Sequence, residues 1–371
     1  MVSMSRLISQ TTGLAVRLLL PALSMLLTGC ADTAYYWQSV SGHIGLMRAA
    51  RPIEDWLSSA QTPARLRERL LQAQSIRRFS VTDLHLPDNA SYQSFADLRR
   101  RHAVWNVVAA PEFSLTLKTW CFPVAGCVSY RGYFDQTDAT ALATELRAQG
   151  LEASVYGVPA YSTLGWLNWV GGDPLLSTFA DYPEGELARL MFHELAHQVL
   201  YVADDTAFNE SFATAVERLG VAQWLATLAT PQARSSYLQL AQRRTAFRLL
   251  THATRARLAA VYMNNQPVAL TRHALIAMKN EVFQDFRVAY AELKKEWGGY
   301  SGFDAWVAQA NNASFGAQAA YDDLVPGFEA LFEREGRDWR RFYDAARQLA
   351  QLPTPERARQ LQQWAKEQNL G

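Results

Sequence analysis

Leu190-Met191-Phe192-His193-Glu194-Leu195-Ala196-His197-Gln198, followed shortly by Phe208-Asn209-Glu210-Ser211-Phe212-Ala213, is the stretch around which this 371-residue chain is organised. Two histidines four residues apart on a helix lie on one face, so both imidazoles can converge on a single tetrahedral ion. Glu194, next to the first of them, points about 100° round the helix, where it reaches a water rather than the metal. Such an ion activates water near neutral pH, and a carboxylate so placed can take the proton and hand it to a leaving amine. A third protein ligand is needed, with one position left open. Glu210 is the preferred candidate; Glu217, seven residues on and nearly on the same face, is its rival. The expected site is one Zn2+ per chain on His193, His197 and Glu210.

Leu187, Leu190, Met191, Leu195 and Val199 recur at core-facing spacing after Asp181-Tyr182-Pro183-Glu184, which offers an N-cap and first-turn acids. A second helix opens at Asp205-Thr206 and carries Phe208, Phe212, Val216 and Leu219. The segment between them is short enough to double the chain back, so that Glu210 faces the two histidines. Two histidines on an apolar helix also suit a hydrogen-bonded core. No packing rule, however, asks for an Asn-Glu pair on the next helix.

With these residues the chain resembles the Glu-zincin peptidases, closest in wording to the Asn-Glu-Gly-Phe-Ala segment of the zinc aminopeptidases. More narrowly, it resembles a zinc aminopeptidase family of bacterial lipoproteins, from about Tyr35 to about Phe342, through Cys121-Phe122-Pro123-Val124-Ala125-Gly126-Cys127 and Tyr161-Ser162-Thr163-Leu164-Gly165-Trp166. The resemblance implies a peptide-hydrolysing zinc enzyme with a zincin-like core. It implies substrate binding by strand addition at Tyr161 to Trp166, with Ser162, Thr163 and Gly165 as contacts. A Tyr hydroxyl often stabilises the oxyanion in such enzymes; Tyr321 is the first choice, Tyr262 the second, and Asn312 a contact to substrate backbone. In thermolysin-like enzymes an acid four residues after the ligand Glu orients a ligand His. Thr214 stands there in this chain, so Asp205 or Glu217, beside Asn209, is expected to give that support. No Gly-x-Met-Glu-Asn segment is present. Aminopeptidase specificity therefore follows from the family resemblance alone, with an endopeptidase, an amidase or a non-catalytic zinc lipoprotein as the other readings.

At the start of the chain, Arg6 and Arg17 precede an apolar run from Leu18 to Leu27, which ends in Leu27-Thr28-Gly29-Cys30. This reads as a secretory signal peptide over residues 1–29, too short for an ordinary membrane span. The cysteine at its end resembles a bacterial lipobox, with Cys30 as the lipidated residue and Ala31 resembling proteins sorted to the outer membrane. The expected location is the periplasmic side of the cell envelope, with a lipid anchor in the membrane and a peptide as substrate. Cys121 and Cys127 then suggest a disulfide, or else two buried thiols. With 36 basic and 35 acidic residues, net +1, there is no electrostatic case for nucleic acid.

The fold class expected is α+β, mainly α. Residues 35–74 read as helical, with Trp37, Val40, Ile44 and Met47 in one apolar stripe. Val104 to Ala110, Phe113 to Trp120, Val128 to Phe134 and Glu152 to Val158 read as strands, with a crossover helix from Thr137 to Gln149. After Gly220 the pattern is nearly all helical: Pro231 to Met263, Val268 to Trp297, and onward past Gly298-Gly299. The regions expected are 30–104, an N-terminal helical segment; 105–220, the catalytic core with a small sheet beside the His-bearing helix; and 221–371, a helical C-terminal half.

Overall fold

The computed structural model describes residues 33–122, 126–161, 171–263, 271–319 and 323–368. The fold is α+β and mainly helical, with small sheets. No described helix is long and apolar enough to cross a membrane. The chain divides into two compact units, Met1–Arg48 and Ala49–Gly371.

Helix α1 spans residues 33–49, and residues 33–48 of it are the described part of the first unit. Of its expected stripe, Met47 is half-buried while Trp37, Val40 and Ile44 are 72, 53 and 42% accessible, and Tyr36 beside them is 43% accessible. The long N-terminal helix expected to continue to Gln74 is interrupted. Strand β1 (Ala50–Pro52) ends at Pro52, after which α2 (Ile53–Ser58) and α3 (Ala64–Thr82) begin afresh. Pro52 and Pro63 sit at the two helix starts, where a missing N–H costs nothing.

In the second unit β2 (Ser94–Ala96) lies between β1 and the two-residue β8 (Leu175–Leu176). The main sheet is built on β3 (Val104–Pro111), flanked by β6 (Arg131–Tyr133) and β7 (Leu151–Val158). Both neighbours run antiparallel to β3, with Trp105 opposite Tyr133 on one side and Gly157 on the other. Strands β6 and β7 therefore point the same way, and α4 (Gln136–Ala148) is the crossover that this demands. Asp135 starts α4 by accepting from the Thr137 N–H.

Phe113 to Thr119 forms no ladder, contrary to the alternation in its sequence. Phe113 and Leu115 pack instead with the aromatic cluster of Phe247, Phe286 and Phe315, so their period reflects burial against helices. Strand β4 (Trp120–Phe122) then pairs with β5 (Gly126–Val128) in a hairpin closed by the Cys121–Cys127 disulfide.

The remaining chain is helical: α5 (Glu184–Ala196), α6 (Thr206–Thr227), α7 (Pro231–Met263), α8 (Arg272–Glu296), α9 (Asp304–Ala308), α10 (Asn312–Ala319), α11 (Val325–Arg334), α12 (Trp339–Ala350) and α13 (Thr354–Gln368). Helices α5 and α6 form an antiparallel pair at the centre. Phe79 of α3 packs on Phe192 and Trp224 from one side; Phe328 and Phe342 pack on Phe212 from the other. A side chain at Gly220 would meet Leu84 Cδ1 at 2.7 Å and Phe192 Cδ2 at 3.1 Å, so the bare backbone lets α6 approach α5 closely.

Candidate metal centre

Helix α5 buries Leu187, Met191, Phe192 and Leu195 almost completely, which turns His193 and His197 toward α6. Pro183 precedes the helix and no side chain caps it; Asp181, the expected cap, is held by Arg65 instead. After His197 the chain reverses within a few residues. Asn209 fixes this loop, accepting from the Val202 N–H at 2.8 Å and donating to the Val202 carbonyl at 2.7 Å. Asp205 caps α6 through the Phe208 N–H, and its other oxygen accepts from Arg357 Nε at 2.8 Å. Asp204, at φ 65°, accepts from Cys127 N–H, so the disulfide hairpin clasps the same loop. Asn209→Ala would leave the Val202 N–H without its partner and the Val202 carbonyl with only the longer bond from the Asp205 N–H, and is expected to cost about 1 kcal/mol of stability, read from a urea midpoint.

This reversal brings three ligand atoms together. His193 Nε2 and His197 Nε2 are 3.2 Å apart, and Glu210 Oε2 lies 3.3 Å from the first and 3.7 Å from the second. Among the described residues His193, His197 and Glu210 form the group able to hold a metal ion. An ion with tetrahedral bonds of about 2.0–2.1 Å separates its ligand atoms by about 3.3–3.4 Å, which is the size of this triangle. Two ring nitrogens and a carboxylate oxygen facing one point also suit a cation electrostatically. The donor set therefore fits zinc.

Behind the triangle runs a line of charge. His193 Nδ1 lies 3.0 Å from Glu217 Oε2; an ionised carboxylate only accepts, so Nδ1 carries the hydrogen and Nε2 is left for the centre. Arg189, one turn before His193, spans both Glu217 oxygens at 3.0 and 3.2 Å. Its Nε donates to Glu186, which also accepts from Arg244 on α7. Glu217 thus holds the His193 ring from the side away from the triangle, while Asp205, the other candidate for that support, is spent on capping and Arg357.

Burial disfavours charge on both histidines. At His193 the hydrogen bonds to Glu210 and Glu217 outweigh it and raise the ring to about 10. At His197 burial prevails, helped by the neighbouring ring, and lowers it to about 4. Burial would raise Glu217, but Arg189 and His193 hold it down at about 2. In the metal-free protein His193 is therefore protonated at pH 7, whereas a ligand nitrogen must be bare. Zinc uptake is expected to release about one proton, and apparent affinity to rise about tenfold per pH unit from pH 6 to 9. Calorimetry in two buffers of different ionisation enthalpy measures this; absence of proton release at pH 7 would contradict it.

The family whose description is Putative aminopeptidase matches residues 34–361. The chain belongs to this family. Membership in the Putative aminopeptidase family supports a peptidase-like function. No curated protein matches the chain, and no solved structure does.

Of the other residues singled out in this aminopeptidase-family sequence, Cys30, Ser162, Thr163, Gly165 and Tyr321 lie outside the described residues. Asn312 corrects an expectation. It is fully buried, its amide donates to the Pro111 and Glu112 carbonyls, and its oxygen accepts from Tyr262. That carboxamide braces α10 against the end of β3, and the Tyr262 hydroxyl is spent on it.

Four other tyrosines feel the charge of Glu194 or Glu210. Burial first, and then Glu194, raises Tyr92; burial and Glu210 raise Tyr201, and raise Tyr156 to about 12. Tyr130 is raised by burial and by both Glu210 and Glu194. All four keep their hydroxyl hydrogens at neutral pH. Tyr130 was read only as part of a strand, and nothing in its local pattern marks it. Arg189, in contrast, stands four residues before His193, a spacing that puts both on one face.

Proposed function

We propose that this protein is a zinc-dependent peptidase, an aminopeptidase by its family, held by a lipid on Cys30 at the periplasmic side of a bacterial cell envelope. The lipobox-like Leu27-Thr28-Gly29-Cys30 and its outer-membrane type of following residue support the location. The observation that carries the chemistry is the triangle of His193, His197 and Glu210, of a size that suits tetrahedral zinc.

His193, His197 and Glu210 would hold the ion, and Glu217 keeps His193 turned so that Nε2 faces it. When bound, zinc would supply an acidified water and polarise the peptide carbonyl. Glu194, beside His193 but about 100° round the helix, is the general base. It takes a proton from water and delivers it to the departing amine. Among the described tyrosines Tyr130 is the one whose hydroxyl feels the charge of both Glu210 and Glu194, and it would be the candidate to donate to the developing oxyanion. The substrate is a peptide.

The test joins metal content with turnover on purified mature protein. Wild type is expected to carry about one zinc per chain and to release the first residue of free peptides but not of N-blocked ones. His193→Ala is expected to lose the zinc. Full zinc occupancy in that variant would sink the ligand assignment, whereas cleavage of blocked peptides would make the enzyme an endopeptidase. Zinc without turnover on any peptide would point to another amide or to a binding role.

A further inference from the structure

The open face of α1 is unusual for a helix of this composition. At 100° per residue, Tyr36, Val40, Ile44 and Trp37 fall at about 0, 40, 80 and 100°, a stripe of the width a helix buries when it rests on a surface. All four are exposed, while Leu46, on a different face, is 2% accessible. Gly42 and Gly45 weaken the helix, and a helix this short gains most of its stability from a covered face. Residues 33–49 contain no carboxylate, and Arg48 is their one Lys or Arg.

What covers the stripe is indicated by its place in the chain. Only Ala31 and Asp32 stand between Cys30 and the first residue of α1, a reach of about 10 Å. Trp and Tyr are the side chains that favour the boundary between lipid and water, and Val and Ile supply apolar area beneath it. We propose that the Tyr36, Trp37, Val40 and Ile44 face of α1 seats the helix flat on the bilayer surface. This rests on the lipid-anchor reading of Cys30 and deepens it: the anchor would hold the chain at the membrane, and the stripe would set how α1 lies there.

Two measurements separate the anchor from the stripe. Incorporation of labelled fatty acid is compared in wild type and Cys30→Ser, which tests the anchor alone. The unlipidated mature Cys30→Ser chain is then mixed with phosphatidylethanolamine and phosphatidylglycerol vesicles, beside the same chain carrying Tyr36→Ser, Trp37→Ser, Val40→Ser and Ile44→Ser. Co-sedimentation is expected to favour the intact stripe by at least about tenfold, with little change on adding salt because the contact is apolar. Circular dichroism checks that both chains are equally folded. Equal vesicle binding by the two would overturn the proposal, as would a stripe-dependent dimer in velocity sedimentation that ignores vesicles. Stripe-dependent binding without a fatty-acid label would overturn the anchor and keep the membrane contact. A label without stripe-dependent binding would overturn the stripe and keep the anchor.

Discussion

Glu194→Gln is expected to leave zinc bound and to lower turnover by about 10²–10⁴-fold. The substitution keeps the size and polarity of the side chain but removes its ability to accept and return a proton. The three ligand atoms come from other residues, so metal content stays at the wild-type level. That split between retained metal and lost turnover distinguishes a proton carrier from a ligand, since a ligand variant loses both together. Wild-type turnover in the Gln variant would remove Glu194 from the chemistry and shift attention to another carboxylate. Zinc loss in the same variant would instead make it part of the metal site.

Arg189→Ala is expected to destabilise the metal-free protein by about 3–5 kcal/mol, the usual cost of stranding one half of a buried ion pair. Arg189 spans both Glu217 oxygens and reaches Glu186 as well, so its removal leaves Glu217 with only His193 beside it, while Glu186 keeps Arg244. Glu217 then holds His193 less firmly, and zinc affinity is expected to fall by about 10–100-fold, as for other groups that orient a ligand. Arg189→Lys keeps the charge but not the fork, and should recover only part of the stability. Urea unfolding with and without zinc reads both effects. A midpoint unchanged in the metal-free Ala variant would show that Arg189 contributes little beyond surface charge.

The parts of the fold that the sequence reveals are those governed by local periodicity. Helix α7 runs from Pro231 to Met263 and α6 opens after Asp205, as their patterns indicate, because caps, prolines and apolar spacing act within a few residues. The crossover arrangement of β6, α4 and β7 was legible for the same reason. Phe113 to Thr119 was misleading, because alternation there satisfies a helical neighbour; a bond from the Lys118 N–H to the Ala109 carbonyl touches β3 without building a ladder. At the candidate site, the His-Glu-x-x-His spacing and Glu210 are local signals and converge in space. Glu217 could be placed near them, but its role could not be chosen until its distance to His193 Nδ1 and its pairing with Arg189 were known. Asn312 illustrates the opposite limit: it was expected to contact substrate backbone, while its amide bonds carbonyls about two hundred positions away in sequence, at Pro111 and Glu112.

The short reversal between α5 and α6 bears on the order in which the molecule assembles. His193 and Glu217 are 24 residues apart in sequence, and Glu210 lies between them. Closing so small a loop carries little entropic cost, and helical hairpins are among the quickest structures to form. By contrast, Arg357 must travel 152 positions to reach Asp205, and Asn312 some 200 to reach Glu112. The cluster of His193, His197 and Glu210 is therefore positioned to form before the C-terminal helices dock.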